Sequence, residues 1–439
     1  MGAEVYYIAA LYSYIKEKRN KKYISELEKK LLESKPEWTA VVPAYNEEEN
    51  ITDCLDSIIN QTYPPSEIII LDDHSIDSTP EKVFNWLKKY KAQPIGSTII
   101  NDNKQTFGSG QRRSIIRFRI PKLDILITYV RNLERNIGKT MNLNWVVFNL
   151  VRTSYFANID GDTIVEKDYA EKVLPLLLEE DVAAAYGWPI PRRIRDTWQA
   201  RIIEYAKSVS YKINHFLFKQ GQEKMGFVYN LMGCAIFYNT DIFRRIPRPN
   251  DSYAGDTSHA WELQAAGYRV KISIDGFVYT TEPSDMKKFW KQRMRWGSGP
   301  FQNLYLRGRK VLSSLKGKRK IAAFWNMFYY TVLSIKYSLG ILILPLLAFM
   351  GIIDQDIALK VYTYDFLMWT TAYSIGNYGC HKHKNNPLTF KESLKDTKEF
   401  LTMYFLVRYG WAFTYIVSAF YTIYDILSKK YKEKWIGMH

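Results

Sequence analysis

The sequence predicts an α/β domain followed by interfacial and transmembrane α-helices, and three observations predict it. Short apolar runs alternate with helix-like segments from Trp38 onward. Two of these runs end directly in carboxylates, at Asp72-Asp73 and at Asp160-Gly161-Asp162. Beyond Phe324 the composition shifts to long apolar stretches. Ligands of open α/β sheets gather outside the carboxyl ends of the strands, so acids placed there mark a site.

The chain of 439 residues has room for two or three domains, or for one large domain and a membrane part. Its 61 Lys and Arg exceed its 45 Asp and Glu, and the surplus of 16 calls for an anionic partner. The basic residues cluster at Lys16 to Lys22, Arg112 to Arg119, Arg192 to Arg195, Lys287 to Lys320 and Lys429 to Lys434. Two clusters flank apolar stretches, which favours a membrane surface, and no zinc-finger or RNA-binding signature speaks for nucleic acid. Three cysteines, Cys54, Cys234 and Cys380, offer neither a disulfide framework nor zinc spacing, so a reducing, cytosol-facing catalytic part is expected.

Taken in order, Val5 to Ile15 is an apolar patch too short to cross a bilayer and reads as an interfacial anchor. Residues 16 to 35 form a basic amphipathic helix. Trp38 to Pro43 is a strand, and Tyr45-Asn46-Glu47-Glu48-Glu49-Asn50 opens a helix with acids in its first turn. Ile51, Leu55, Ile58 and Ile59 share one face of it. Ile68 to Leu71 is a continuous apolar strand running into Asp72-Asp73-His74-Ser75. Residues 95 to 122 read as an insertion, in which Gly108-Ser109-Gly110 is better explained as a solvated loop than as a phosphate grip. Asp124 to Val130 is the next strand. Gly138-Lys139-Thr140 starts a helix, where Lys139 either reaches a phosphate or remains a surface lysine.

Phe156 to Ile159 is a short buried strand that breaks at Gly161. Asp160 and Asp162 repel each other at its end; a divalent cation such as Mg²⁺ or Mn²⁺ stabilises such a pair, and an Asx-type turn with solvated acids is the alternative. Ala183 to Gly187 is a strand, Glu204-Tyr205 lies on a helix, and Leu231 to Tyr238 is a small-residue strand. Ala254-Gly255-Asp256 precedes a helix that Gly267 ends, and Val270 to Ile274 is a strand before Thr281-Glu282-Pro283. Gln292, Arg295 and Trp296 fall on one face of a basic helix. That face suits a diphosphate beside a sugar ring, or a helix on lipid headgroups with Trp296 as its anchor.

Three apolar segments close the chain: Phe324 to Met350 with Lys336, Val361 to Cys380 with Asp365, and Phe400 to Leu427 with Arg408 and Asp425. Charges within a membrane face a bundle interior or a water-filled path. Residues 306 to 320 and His381 to Lys384 should be cytoplasmic, with Asp354 and Asp356 outside. Three crossings would place Lys429 to Lys434 outside against that tendency, so the last segment does not cross or the rule fails. His381-Lys382-His383 reads as a basic juxtamembrane loop rather than a metal pair.

Val42-Pro43-Ala44-Tyr45-Asn46-Glu47, Asp72-Asp73-His74-Ser75, Gly138-Lys139, Asp160-Gly161-Asp162, Gly255-Asp256 and Gln292 through Trp296 follow one another in order. With them the chain resembles glycosyltransferase family 2, in its membrane-integrated branch of cellulose, chitin and hyaluronan synthases, from about Trp38 to Gly299. The resemblance implies a GT-A fold, an inverting reaction on a UDP-sugar, and a growing polysaccharide as acceptor. It divides the chain into an interfacial segment (1–35), the GT-A domain (36–299), a basic interfacial helix (300–320) and a transmembrane region (321–439). Pro43, Tyr45, Glu47 and Asp73 would hold the nucleoside and Asp72 would support their turn. Lys139 and Asp160 would contact the nucleotide, its ribose and its phosphates. Asp162, with Asp160 beside it, would ligate Mn²⁺ or Mg²⁺. Asp256 would be the general base, Gln292 and Arg295 would grip the diphosphate, and Trp296 would border the acceptor.

The implied setting is a multi-pass cell-membrane protein with a cytoplasmic catalytic domain, in contact with membrane lipids, without nucleic acid, and with a homo-oligomer among its partner states. His74 and Gly255 depart from the family, which commonly has glycine and glutamate there. The alternative function is transfer of a single sugar to a lipid acceptor, as in ceramide glucosyltransferase-like relatives; a non-catalytic membrane scaffold is the third reading.

Overall fold

The computed structural model describes residues 17–384 and 389–428. The apolar patch from Val5 to Ile15 and the basic group from Lys429 to Lys434 lie outside the described residues. The amphipathic helix is present as α1 (Glu17–Ser34), which buries Leu27 and Leu31 in the core of the following domain.

That domain begins with β1 (Trp38–Ala44), α2 (Ile51–Ile59), β2 (Glu67–Asp72) and α3 (Thr79–Lys89). The two strands pair in parallel with Ala44 opposite Asp72, so both end at one edge of the sheet. Helix α2 buries Ile51, Cys54, Leu55, Ile58 and Ile59, each large side chain contributing about 1.5–3 kcal/mol. It begins at Ile51, later than the sequence suggests, because the preceding residues are tied to the loop after β2. There the Glu47 N–H donates to Thr79 Oγ1 at 2.7 Å and the Ile76 N–H to Asn46 Oδ1 at 3.0 Å.

The expected insertion is a hairpin, and Gly108 and Gly110 of its turn are solvent-exposed. Strands β3 (Gln93–Asn101) and β4 (Arg112–Ile120) pair antiparallel and continue into β5 (Ile125–Asn132). The glycine-rich turn between them closes on buried Asp102, which accepts from the Ser109 and Gln111 N–H groups and from Arg113 Nε at 2.8 Å. Next come α4 (Lys139–Asn149), β6 (Tyr155–Ile159), β7 (Thr163–Val165), α5 (Tyr169–Val173) and β8 (Val182–Arg192). Helix α6 (Trp198–Ile213) runs through a wide π-helical turn (Asn214–Lys219) into α7 (Gln220–Met225). The domain is completed by β9 (Ala235–Asn239), α8 (Thr240–Arg245), α9 (Gly255–Ala265) and β10 (Arg269–Thr281).

The described strands form one sheet in the order β3-β4-β5-β2-β1-β6-β9-β8-β10-β7. The stretch from β5 to β6 is parallel, and β9 joins it antiparallel. Both faces are covered by apolar clusters, one including α2 and α3 and the other α4 and α9. Residues 231–234 stand outside β9, although the sequence extends a strand through them. Their carbonyls bind elsewhere: Gly233 O accepts from Lys139 Nζ and Cys234 O from the Asp160 N–H.

Helix α10 (Met286–Ser314) crosses residue 300, Pro300 included, without a break. It leads to α11 (Gly317–Phe328), a wide turn (Tyr329–Leu333) and α12 (Ser334–Phe349). Gly317–Phe349 is, among the described residues, the one helix long and apolar enough to cross a membrane. Helix α13 (Gln355–His383) returns so that His383 meets Asp275 and Lys384 meets Tyr279. Both ends of this helical hairpin therefore touch the sheet domain, since Arg319 also donates to the Gly267 and Tyr268 carbonyls. The residues expected as a basic loop are the last turn of α13, with His381 and His383 each facing an aspartate.

The final segment comprises α14 (Phe390–Thr402), a wide turn (Met403–Val407) and α15 (Arg408–Leu427). Helix α15 lies along α10: Ser418 packs on Gly297, and Trp411 and Phe413 face Phe289 and Trp290. Buried Arg408 pairs with Asp365 of α13, which also accepts from Tyr337 and Tyr404, so these charges face the bundle interior.

Candidate active site

Four loops at the carboxyl ends of β1, β2 and β6 and at the start of β9 converge. The loop after β6 rests on the loop after β1, with the Gly161 N–H donating to Pro43 O at 3.3 Å. A Cβ on residue 161 would stand 3.2 Å from Glu47 Cγ and 3.3 Å from Pro43 O, so glycine is what lets Asp160 and Asp162 approach Glu47. Lys139, first residue of α4, binds Asp160 Oδ1 and donates to Gly233 O at 3.1 Å. Asp256 also lies against Gly233: its Oδ2 would be 3.2 Å from a Cβ at that glycine. Lys139, Asp160 and Asp256 are thus neighbours around one residue with no side chain.

Asp162 is fastened through its backbone. Its carbonyl accepts from the N–H and the hydroxyl of Thr281, both at 3.3 Å, while Thr163 Oγ1 donates to its carboxylate at 3.2 Å. Burial, then the charges of Asp160 and Glu47, push the Asp162 carboxyl well above the usual carboxylate range. Glu47 is raised to about 7, again by burial first, and Asp160 and Asp77 add to the shift. Asp160 thus acts on both Glu47 and Asp162, and the nearby positive charge is that of Lys139, which pairs with Asp160 and opposes the rise at Asp162. Hard carboxylate oxygens in such surplus fit Mg²⁺ or Mn²⁺ completed by water and a diphosphate. Among the described residues no group of three His, Cys, Asp or Glu side chains closes on a single point, so the protein's share of such a coordination shell is small.

The paired aspartates after β2 act within the fold. Asp72 is buried and accepts from the Ser75 N–H at 2.8 Å and the Tyr129 hydroxyl at 2.7 Å. Asp73, expected at the nucleoside, accepts from Asn132 Nδ2 at 2.7 Å and from the Ile137 and Gly138 N–H groups. Its carboxylate fastens the loop that presents Lys139. Tyr45 is 46% exposed beside them, free to stack on a flat ring. An open depression of about 590 Å³ adjoins this loop, lined by His74, Ser75, Asp77 and Arg131 among others and by none of Asp160, Asp162 and Asp256.

Gln292 and Trp296 share a neighbour that sequence reasoning missed. Buried Lys207 of α6 donates to Gln292 Oε1 at 2.7 Å, pairs with Glu282 at 3.0 Å and lies 4.0 Å from the centre of the Trp296 ring. Glu282 also accepts from the Tyr211 hydroxyl at 3.0 Å. Burial lowers the Lys207 ammonium to about 8, with Glu282 opposing the shift. Arg295 is exposed, whereas Arg293 lies 3.9 Å from the Trp411 ring and 5.5 Å from Trp296. The available signal was position: Lys207 stands one helical turn after Ile203 on the buried face of α6. Helix α10 thereby spans the site. Thr281 and Glu282 tie its start to Asp162 and Lys207, and further along Gly299 packs against Ala254, two residues before Asp256.

Comparisons with known proteins follow this geometry. A sequence model of the glycosyl transferase family 2 matches residues 39–118, and one of the glycosyl transferase family group 2 matches residues 155–377. The chain is 23% identical over 295 residues to a poly-beta-1,6-N-acetyl-D-glucosamine synthase of Staphylococcus epidermidis, covering 66% of this chain and 59% of that protein. It is 25% identical over 283 residues to the enzyme of that name from Staphylococcus aureus (strain COL), covering 64% and 58%. The chain therefore spans about three fifths of the length of these curated relatives. Among solved structures, the mannosyltransferase PcManGT from Pyrobaculum calidifontis, in complex with GDP-Man and Mn²⁺, superposes with a TM-score of 0.50 at 17% identity, covering 89% of this chain and 88% of that one. The fold is the same GT-A-like α/β arrangement with C-terminal helices.

Proposed function

The chain belongs to glycosyl transferase family 2, and on that premise we propose that it is a membrane-bound inverting enzyme that moves a sugar from a UDP-sugar to a growing polysaccharide. One observation supports this reading: Lys139, which binds Asp160, and Asp256 both lie against Gly233, an arrangement that suits a lysine on the phosphates beside a carboxylate base. Asp256 takes the proton of the acceptor hydroxyl while the oxygen of that hydroxyl bonds to the anomeric carbon. The bond from that carbon to the diphosphate breaks on the opposite face, and the nucleoside diphosphate leaves with the electron pair. One base suffices for inversion. Asp162, with Asp160 beside it, would hold Mn²⁺ or Mg²⁺, and that cation would supply positive charge for the departing diphosphate. Lys139, Gln292 and Arg295 steady the phosphates, and Pro43, Tyr45, Glu47 and Asp73 hold the nucleoside above the turn built by Asp72. Trp296 borders the acceptor.

A polymer product is supported by the synthase names of the staphylococcal relatives, and a membrane setting by the apolar helix and by the hairpin whose two ends return to the catalytic domain. In this setting the domain is cytoplasmic and the chain multi-pass. Transfer of one sugar to a lipid is the second reading, favoured by Trp296 lying next to Trp411 of the apolar helices across Arg293.

Nucleotide release from UDP-sugars tests the proposal. Asp256→Asn should lower acceptor-dependent release by roughly 10²–10⁴-fold. Asp162→Ala should abolish release together with the rise in melting temperature that Mn²⁺ gives the wild type. Wild-type turnover in either variant would refute the assignment, and a product limited to one sugar on lipid would select the second reading.

A further inference from the structure

Beside the carboxylates lies a buried cation with unused donors. Arg248, three residues beyond α8, is 7% exposed. Its backbone is clamped to α4: the Arg248 N–H donates to Asn144 Oδ1 at 3.2 Å and Asn144 Nδ2 donates to Arg248 O at 2.8 Å. The guanidinium nitrogens Nε and Nη1 are buried with no hydrogen-bond partner. The guanidinium lies against Gly255, the residue before Asp256. A Cβ at 255 would stand 3.1 Å from Arg248 Nε, 3.4 Å from Nη2 and 3.3 Å from Thr140 Oγ1. The cation therefore fills the space that a side chain at 255 would need, between the neighbour of Lys139 and the neighbour of Asp256.

Two more buried atoms in this region lack partners, the Tyr238 hydroxyl and His259 Nδ1, on rings stacked at 5.4 Å. Burial lowers the His259 imidazole to about 3, so it is neutral; its Nε2–H donates to Ile246 O at 2.8 Å and its Nδ1 is a bare lone pair. Tyr238 is fully buried among Phe156, Phe243 and His259, so the donors left for a ligand are those of Arg248. A buried guanidinium with free donors is matched by a carboxylate or a phosphate, which it binds in a fork geometry.

We propose that Arg248 forms a subsite for an anionic substituent, carboxylate or phosphate, carried by the acceptor. This inference rests on Asp256 being the base that faces the acceptor. Three acceptors of equal length test it: a neutral oligosaccharide, one containing a uronate, and one carrying a phosphate. The wild type should favour one anionic acceptor over the neutral one by roughly tenfold or more, the scale of a hydrogen bond to a charged group. Whichever anion is favoured identifies the source. In Arg248→Gln that ratio should collapse toward one, while UDP binding confirms that the variant is folded. Equal use of all three acceptors by the wild type, or an equal loss on all three in Arg248→Gln, would overturn the proposal. Free glucuronate and inorganic phosphate give a second readout: one of them should raise the melting temperature of the wild type and not of Arg248→Gln. Such binding in a wild type that releases no nucleotide would defeat the catalytic reading and leave the anion site standing.

Discussion

His74 shows what one residue costs. Its φ of 65° lies in the left-handed region, which side chains enter at about 1–2 kcal/mol, and this is the position where the family commonly has glycine. Its ring meets Asn132 O at 3.2 Å, a partial return on that strain. His74→Gly should stabilise the protein by up to about 1 kcal/mol in chemical denaturation, since glycine's greater unfolded-state freedom offsets part of the gain. A loss of stability would mean that the ring contact outweighs the strain. Gly161 was legible as a chain break, but the reason for it was not: the close approach to Glu47 and Pro43 belongs to two loops far apart in sequence. The same holds for Asp73, whose carboxylate also accepts from the loop before Lys139.

Among the elements, strands and helices with a clear apolar period stand where the sequence places them, because each buries one face whatever its neighbours are. Boundaries moved where tertiary hydrogen bonds compete, at Glu47 to Asn50 and at residues 231–234. The wide turn after α6 was not legible. It carries fully buried Lys219, which donates to Asn230 O at 3.0 Å and Gln222 Oε1 at 3.2 Å. Burial lowers this ammonium to about 7, with Asp256 opposing the shift. A base lowered in the folded state makes the fold less stable as pH falls from its unfolded value, near 10.4, through 7. Lys219→Met removes that charge, so its melting temperature relative to wild type should be higher at pH 6 than at pH 9. A difference independent of pH would show that Lys219 keeps its proton in the folded state and is compensated there.

At the scale of the whole molecule, α6 joins the catalytic domain to the C-terminal helices through charge. Lys212 pairs with Asp396 at 2.8 Å and Glu399 at 3.1 Å, both on α14. In a double-mutant cycle, Lys212→Met and Glu399→Gln should show a coupling of about 0.5–3 kcal/mol in thermal unfolding, and simple additivity would remove this link. The sequence by itself determined the α/β class, the order of the acidic turns and the apolar character of the final third, because these follow from residue type and period along the chain. Only the tertiary structure decided that Lys139, Asp160 and Asp256 meet at Gly233, that Lys207 holds Gln292, that the last helix lies along α10, and that Arg248 stands unpartnered beside Gly255. Those facts join residues from separate elements, and it is the folding of the sheet that brings them together.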